Sequence, residues 1–302
     1  MNFDPKTDET SLSQEDSNER HKLDAEELAF FKSQTGITDD DALNRHVEQV
    51  QADAYKVYQY SCILKFRFMK FKISRLPVYA QLLKMGRERR GVIFLDIGCC
   101  FGNDVRKAVA DGFPVESVIA SDLHAEFWQL GHRLFNSSAD TFPVPFVAGD
   151  AFDETFLRAT PPFYTPPKEP APPLSSLTNL TPLLGHVSAI HASSFFHLFD
   201  EARQSQLAKS LAGLLSPLPG SMIFGAHGGL PEKGVRIREG NPSRAGSHMF
   251  CHSPESWGEL WDGQVFERGT VKVEAKVEAR ERVTSDGGNA TSYTLIWSVT
   301  RL

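Results

Sequence analysis

The chain has 302 residues, with 32 Lys and Arg against 38 Asp and Glu and a formal charge of −6. Residues 1–27 hold nine acids and three bases, so the entire surplus sits there and the rest of the chain is neutral. A neutral body excludes recognition of nucleic acid or an anionic membrane through bulk charge, and no apolar run approaches the roughly 20 residues that span a bilayer.

The acidic, polar N-terminus carries no secretory pattern, and four cysteines with two adjacent (Cys99, Cys100) form no disulfide framework. A cytoplasmic protein with reduced thiols is the expectation. Residues 1–22 lack apolar periodicity and are rich in Ser, Asp, Glu and Asn, which predicts a disordered tail. A short helix follows from about Asp24. A second starts near Asp39, with Leu43, Val47, Val50, Ala54 and Val57 on one face. An aromatic, basic stretch then runs from Tyr58 to Phe71, and a further helix is expected from Pro77 to Met85, stopping at Gly86.

From residue 92 strands alternate with helices. Val92–Ile97, Val118–Ala120, Phe146–Ala148, Val187–His191 and Ser221–Ala226 read as buried strands. Helices are expected at about 103–111, 123–135 and 200–215. This rhythm predicts a mainly parallel sheet with helices on both faces and right-handed crossovers. Eight prolines within 160–182 exclude helix and interior strand, so that stretch reads as an irregular surface insertion. Ser253-Pro254-Glu255 marks another helix start. Val271 to Ala279 alternates apolar and charged residues, Ser285–Asn289 reads as a turn, and Tyr293 to Val299 alternates on the return. An antiparallel C-terminal strand pair therefore closes the sheet.

Chemistry concentrates at Asp96-Ile-Gly98-Cys-Cys-Phe-Gly102, a strand, a glycine turn and a helix start at the carboxyl edge of the sheet. A dinucleotide fingerprint needs a second glycine where Cys100 stands, and no Gly-Lys-Ser/Thr phosphate loop follows. A nucleoside-like ligand without a pyrophosphate, such as S-adenosylmethionine, fits better. Asp122, 20 residues beyond Gly102, ends the second strand, where a carboxylate can accept from both ribose hydroxyls. Asp150 ends the third and can accept from an adenine amino group, with Leu123 and Phe152 flanking the base. Both aspartates also suit helix N-caps.

These residues resemble the class I S-adenosylmethionine-dependent methyltransferases, and most closely the fungal small-molecule enzymes of secondary metabolism. The resemblance rests on residues 94–106, 111–115, 121–123, 148–151, 194–199 and 252–257, and covers about residues 40–300. It implies an α/β, Rossmann-like sheet of seven strands, the last antiparallel, under an N-terminal helical cap (23–90) acting as a lid, within one domain over 23–302. It implies that Asp96, Gly98 and Gly102 shape the methionine end of the cofactor site, that Asp122 and Leu123 hold ribose and adenine, and that Asp150 and Ala151 hold the adenine edge. Ser193 joins the cofactor-binding set.

The implied activity is O-methylation of a carboxylate, enol or phenol on a small lipophilic metabolite of polyketide or terpenoid type. The alternatives are a non-catalytic S-adenosylmethionine-binding partner protein and an NAD(P)-dependent oxidoreductase, which Cys100 disfavours. His197 is the candidate general base, since a neutral imidazole takes a phenolic or enolic proton near neutral pH. His191 reads as structural within its strand. Tyr60, Phe196, His227, His248 and Trp257 are candidate substrate contacts in a lipophilic pocket. His248, Cys251 and His252 lack the further ligands of a metal site, so no metal is expected. Partners are confined to the metabolite, with no nucleic acid and no membrane span. Because the acidic tail precedes every feature of the resemblance, deleting residues 1–22 is expected to leave methyl transfer and cofactor affinity nearly unchanged, as activity assays and ligand titration on the shortened chain would read.

Overall fold

The computed structural model describes residues 23–237, 248–283 and 289–302; the tail expected over 1–22 lies outside them. The chain divides into two compact units, residues 1–70 and 71–302. In the first, Asp24 caps helix α1 (Ala25–Thr35) through a reciprocal pair of bonds: Glu27 N–H donates to the Asp24 carboxylate at 2.8 Å, and Asp24 N–H to the Glu27 carboxylate at 3.0 Å. Asp39 caps α2 (Asp40–Val57), which buries Leu43, Val47, Val50 and Ala54. The aromatic stretch forms one helical turn, α3 (Ser61–Leu64), and a 3-10 turn at Arg67–Met69.

The second unit follows the expected alternation: α4 (Tyr79–Glu88), β1 (Phe94–Ile97), α5 (Asn103–Ala110), β2 (Val118–Asp122), α6 (Ala125–Leu134), β3 (Phe146–Ala148), β4 (Ala189–His191), α7 (Glu201–Leu214) and β5 (Met222–Gly228). A hairpin of β6 (Gly234–Ile237) and β7 (His248–Cys251) comes next, then α8 (Pro254–Trp261), β8 (Val271–Val283) and β9 (Asn289–Arg301). Seven strands form one sheet in the order β3-β2-β1-β4-β5-β9-β8. The first five are mutually parallel, and β9 runs antiparallel to both β5 and β8. The expected sheet and its C-terminal pair are therefore present. Alternating side chains feed two cores. Leu95, Ile119, Ile190 and Ile223 pack with α7 and α8, while Phe94, Val118, Ala189 and Phe224 pack with α4 and α5.

Several boundaries differ from the sequence reading. Helix α4 runs through Gly86 to Glu88, because that glycine serves close packing: a Cβ there would lie 2.6 Å from the Phe113 ring. Strand β4 begins at Ala189, and Val187 makes only an isolated bridge to Leu215. The β6–β7 hairpin, four residues a side, was not expected. The turn read at 285–289 falls almost wholly outside the described residues.

The proline-rich stretch is irregular as expected, with single 3-10 turns at Leu174–Ser176 and Thr181–Leu183. It occupies the place of a crossover helix between β3 and β4, and Leu180, Leu183 and Leu184 pack into the core beside α7. Its anchors lie at the amino-terminal edge of the parallel strands. Arg301, which follows the residue paired with the first residue of β5, donates to the Phe163 carbonyl at 2.8 Å and stacks 4.8 Å from the Tyr164 ring. The Tyr164 hydroxyl in turn accepts from Glu267 N–H at 2.7 Å. Arg301→Ala is expected to cost roughly 1.5–3 kcal/mol of stability through the lost charge-assisted bond, measured by denaturant unfolding, while leaving chemistry at the opposite edge unaffected.

Candidate functional site

The carboxyl ends of β1 to β4 bring most of the expected residues together. After β1 the backbone turns through left-handed conformations at Gly98 (φ 72°), Cys100 (φ 52°) and Gly102 (φ 73°). The two glycines have steric reasons as well. A Cβ on Gly98 would stand 3.0 Å from the Phe195 ring, and one on Gly102 would stand 2.5 Å from Trp128. Cys100 takes up a conformation that costs a non-glycine residue about 1–3 kcal/mol. Its N–H donates to Asp122 Oδ2 at 2.8 Å.

Asp122 thus ties the glycine turn to the end of β2, and its other oxygen accepts from His124 N–H at 3.2 Å. Burial raises the carboxyl pKa, and the backbone N–H donors of Cys100 and His124 pull against that rise. The Asp122 carboxylate makes turn bonds, and the N-cap position of α6 belongs to His124. Asp150 likewise accepts from Phe152 N–H at 3.0 Å in a turn and is exposed. Leu123 beside Asp122 is 55% exposed, an apolar side chain presented to solvent at the sheet edge, while Ala151 is buried. Phe152 and Phe195 each meet Phe199 edge-on, at 4.7 and 5.5 Å, which draws the ends of β3 and β4 together.

Asp96 sits deeper, 2% exposed, opposite His191 in the β1–β4 register. His191 Nδ1 lies 2.8 Å from Asp96 Oδ1 and its Nε2 lies 2.7 Å from Ser193 Oγ. Ser193 Oγ also accepts from Ala226 N–H at 3.1 Å. Burial raises the Asp96 pKa, with the His191 contact acting in the opposite sense. Burial pushes His191 down, but the Asp96 charge and hydrogen bond outweigh it and the net shift is upward. The neighbouring Cys99 thiol is held well above its ordinary pKa by burial and then by the charges of Asp122 and Asp96. His191 lies within its strand as the sequence implies, and its bonds to Asp96 and Ser193 have no signal in the sequence.

The candidate acceptor residues divide. His197 is half-buried, its ring 6.4 Å from His227. Phe196 and Trp257 have no exposed surface and pack at 5.0 Å in an aromatic cluster with His227, Trp261 and Trp297. The structure thus gathers Phe196, His227 and Trp257 as core. His248, the first residue of β7, is exposed. Tyr60 belongs to the first unit, where it precedes α3 and its ring lies 4.3 Å from that of Tyr58. His252, absent from the expected site set, joins the cluster through Trp257 at 5.2 Å. Among the described residues, His227 Nε2, His252 Nε2 and the Trp257 indole nitrogen are buried without a hydrogen-bond partner.

Known proteins similar to this chain are fungal methyltransferases. Residues 15–69 match the model of the meroterpenoid methyltransferase N-terminal domain, a match that begins inside the stretch read as a tail. The chain is 30% identical over 259 residues to the Asnovolin E/Chermesin D methyltransferase nvfJ of Aspergillus novofumigatus, covering 85% of this chain and 82% of that protein. It is 33% identical over 224 residues to the O-methyltransferase phiE of a fungal species, covering 74% of this chain and 66% of the relative. The methyltransferase adrK of Penicillium roqueforti is 28% identical, with 72% and 68% covered.

The Trp297 indole N–H donates to His227 Nδ1 at 2.9 Å, which fixes the neutral ring with its proton on Nε2. Burial and then the neighbouring histidines hold His227 well below its ordinary pKa, and burial with the charge of Lys233 lowers His252 to about 4. Nitrogen-detected NMR of the histidine rings is expected to show the Nε2–H tautomer for His227, with neither ring titrating between about pH 5.5 and 8.

Proposed function

Since this chain belongs to a family of fungal methyltransferases, we propose that it uses S-adenosylmethionine to methylate an oxygen of a small lipophilic metabolite at the carboxyl edge of its sheet. The observation that carries the siting is the alignment of Asp96, Asp122 and Asp150 at three consecutive strand ends around a left-handed turn. The cradle suits the cofactor's chemistry. Asp96 Oδ2 is a buried acceptor without a partner among the described residues, Leu123 offers an open apolar face for a base, and Asp150 offers an exposed carboxylate.

In this reading Asp96, Gly98, Gly102 and Ser193 take the methionine end. Asp122 accepts from the ribose hydroxyls, since each of its oxygens keeps a lone pair beyond its backbone bond. Leu123, Asp150 and Ala151 enclose the adenine. When bound, the cofactor supplies a sulfonium methyl group open to in-line displacement. What remains for the protein is to align the acceptor oxygen and keep water out. The half-buried Phe152, Phe195 and Phe199 form an apolar wall for that purpose, and His197 stands beside it as the group able to take an acceptor proton. Phe196, His227 and Trp257, which are buried, support that wall from behind, and His248 is the proposed contact on the acceptor side. The acceptor is a carboxylate, enol or phenol. All four cysteines are free, and no described helix is long and apolar enough to cross a membrane; cytoplasmic residence is part of the proposal.

Incubation with labelled S-adenosylmethionine and a fungal metabolite extract is expected to yield a product heavier by one CH₂ in mass spectrometry, and no labelled product would overturn the reading. His197→Ala then identifies the oxygen. A carboxylate is already ionised near neutral pH and should keep kcat within about tenfold, whereas an enol or phenol should lose about 10²–10⁴ with general-base catalysis.

A further inference from the structure

Asp96 and His191 face each other across the β1–β4 ladder on the side of the sheet covered by α5. They form a continuous chain: Asp96 Oδ1 to His191 Nδ1 at 2.8 Å, His191 Nε2 to Ser193 Oγ at 2.7 Å, and Ala226 N–H to Ser193 Oγ at 3.1 Å. The residues are 2%, 1% and 8% exposed. Asp96 Oδ2 is buried and has no partner among the described residues. A carboxylate with one oxygen bonded and the other bare in a desolvated position is incomplete, because a buried acceptor without a donor is costly.

On the cofactor reading above, the missing donor is the α-ammonium at the methionine end of the ligand. That ammonium and an imidazolium would then compete for one carboxylate. We propose that His191 is a positioning residue whose proton is displaced by the cofactor's ammonium: in the empty site the imidazolium balances Asp96, and on binding the Nε2 proton leaves to solvent. The Nε2–H bond is the one that breaks, its electron pair stays on the ring nitrogen, and the proton passes to the buffer.

Ser193 accommodates both states, because its hydroxyl can accept from Nε2–H of the imidazolium or turn and donate to Nε2 of the neutral ring. In both states Nδ1–H stays on Asp96 and holds the carboxylate in place. The surrounding charges oppose one another: Asp104, at the start of α5, favours the protonated ring, and Lys72 disfavours it. Asp104 is itself fixed by Ile73 N–H at 2.9 Å. The Cys99 thiol, held well above its ordinary pKa, stays neutral and competes for no proton.

The test is calorimetric titration of the full chain with S-adenosylhomocysteine and, separately, with 5′-deoxy-5′-methylthioadenosine, which lacks the amino-acid end. Each is run in two buffers of equal pH and different ionisation enthalpy. Release of up to about one proton is expected with the first ligand and none with the second. Affinity for S-adenosylhomocysteine should rise with pH between about 6 and 8, by at most about tenfold per unit. His191→Asn should abolish the release and flatten the pH profile; if that variant does not fold, the comparison of the two ligands on the wild-type chain decides alone. Proton-neutral binding of S-adenosylhomocysteine, equal release with both ligands, or release persisting in His191→Asn would each overturn the proposal. Absence of binding by either ligand would instead remove the cofactor reading on which it rests.

Discussion

One hydrogen bond, from Cys100 N–H to the Asp122 carboxylate at 2.8 Å, organises the edge of the sheet on which everything else depends. It holds a cysteine in a left-handed conformation that L side chains avoid, in a turn whose two glycines lie close against Phe195 and Trp128. The cost of that turn, of order 1–3 kcal/mol, is offset by a charge-assisted bond in a partly desolvated position. The result is a fixed turn between β1 and β2, next to an exposed leucine and an exposed aspartate. Preorganised backbone and fixed carboxylates suit a ligand that is bound tightly and reacted without further rearrangement.

Around this edge the burden of stability is spread unusually. The crossover from β3 to β4 has no α-helix, and a proline-rich segment covers the sheet in its place. Proline lowers the conformational freedom of the unfolded chain, so an irregular segment can hold its place with few backbone bonds. Its anchors at Arg301 and Glu267 lie at the amino-terminal edge, so the carboxyl edge keeps its strand ends. Behind β4 and β5, the cluster of Phe196, Trp257, Trp261, Trp297 and His227 supplies a dense aromatic core. Its nitrogen atoms make that core chemically unlike a purely aliphatic one.

The strands, the glycine turn and the acidic strand ends were legible in the sequence because each is a local pattern: an apolar run, a breaker, and an acid at a fixed spacing. The β6–β7 hairpin was not, since four-residue strands such as Gly234–Ile237 carry too little alternation to stand out from a loop. The Asp96–His191 bond joins residues 95 apart. It depends on β4 lying beside β1, which is a matter of strand order and leaves no trace in either segment. Gly86 read as a helix stop because a glycine needed for close packing against Phe113 looks the same in sequence as one needed for a cap. Phe196 and Trp257 read as pocket lining for a similar reason, since aromatic residues serve cores and pockets alike.

The account centres on a cofactor held across the carboxyl ends of β1, β2 and β3 with Asp122 at the ribose. A crystal structure of the chain with S-adenosylhomocysteine tests it most directly. The prediction is a ligand lying between the Gly98–Gly102 turn and Asp150, both ribose hydroxyls within hydrogen-bond distance of the Asp122 carboxylate and the amino group toward Asp96. A ligand seated elsewhere, or a ribose turned away from Asp122, would contradict it.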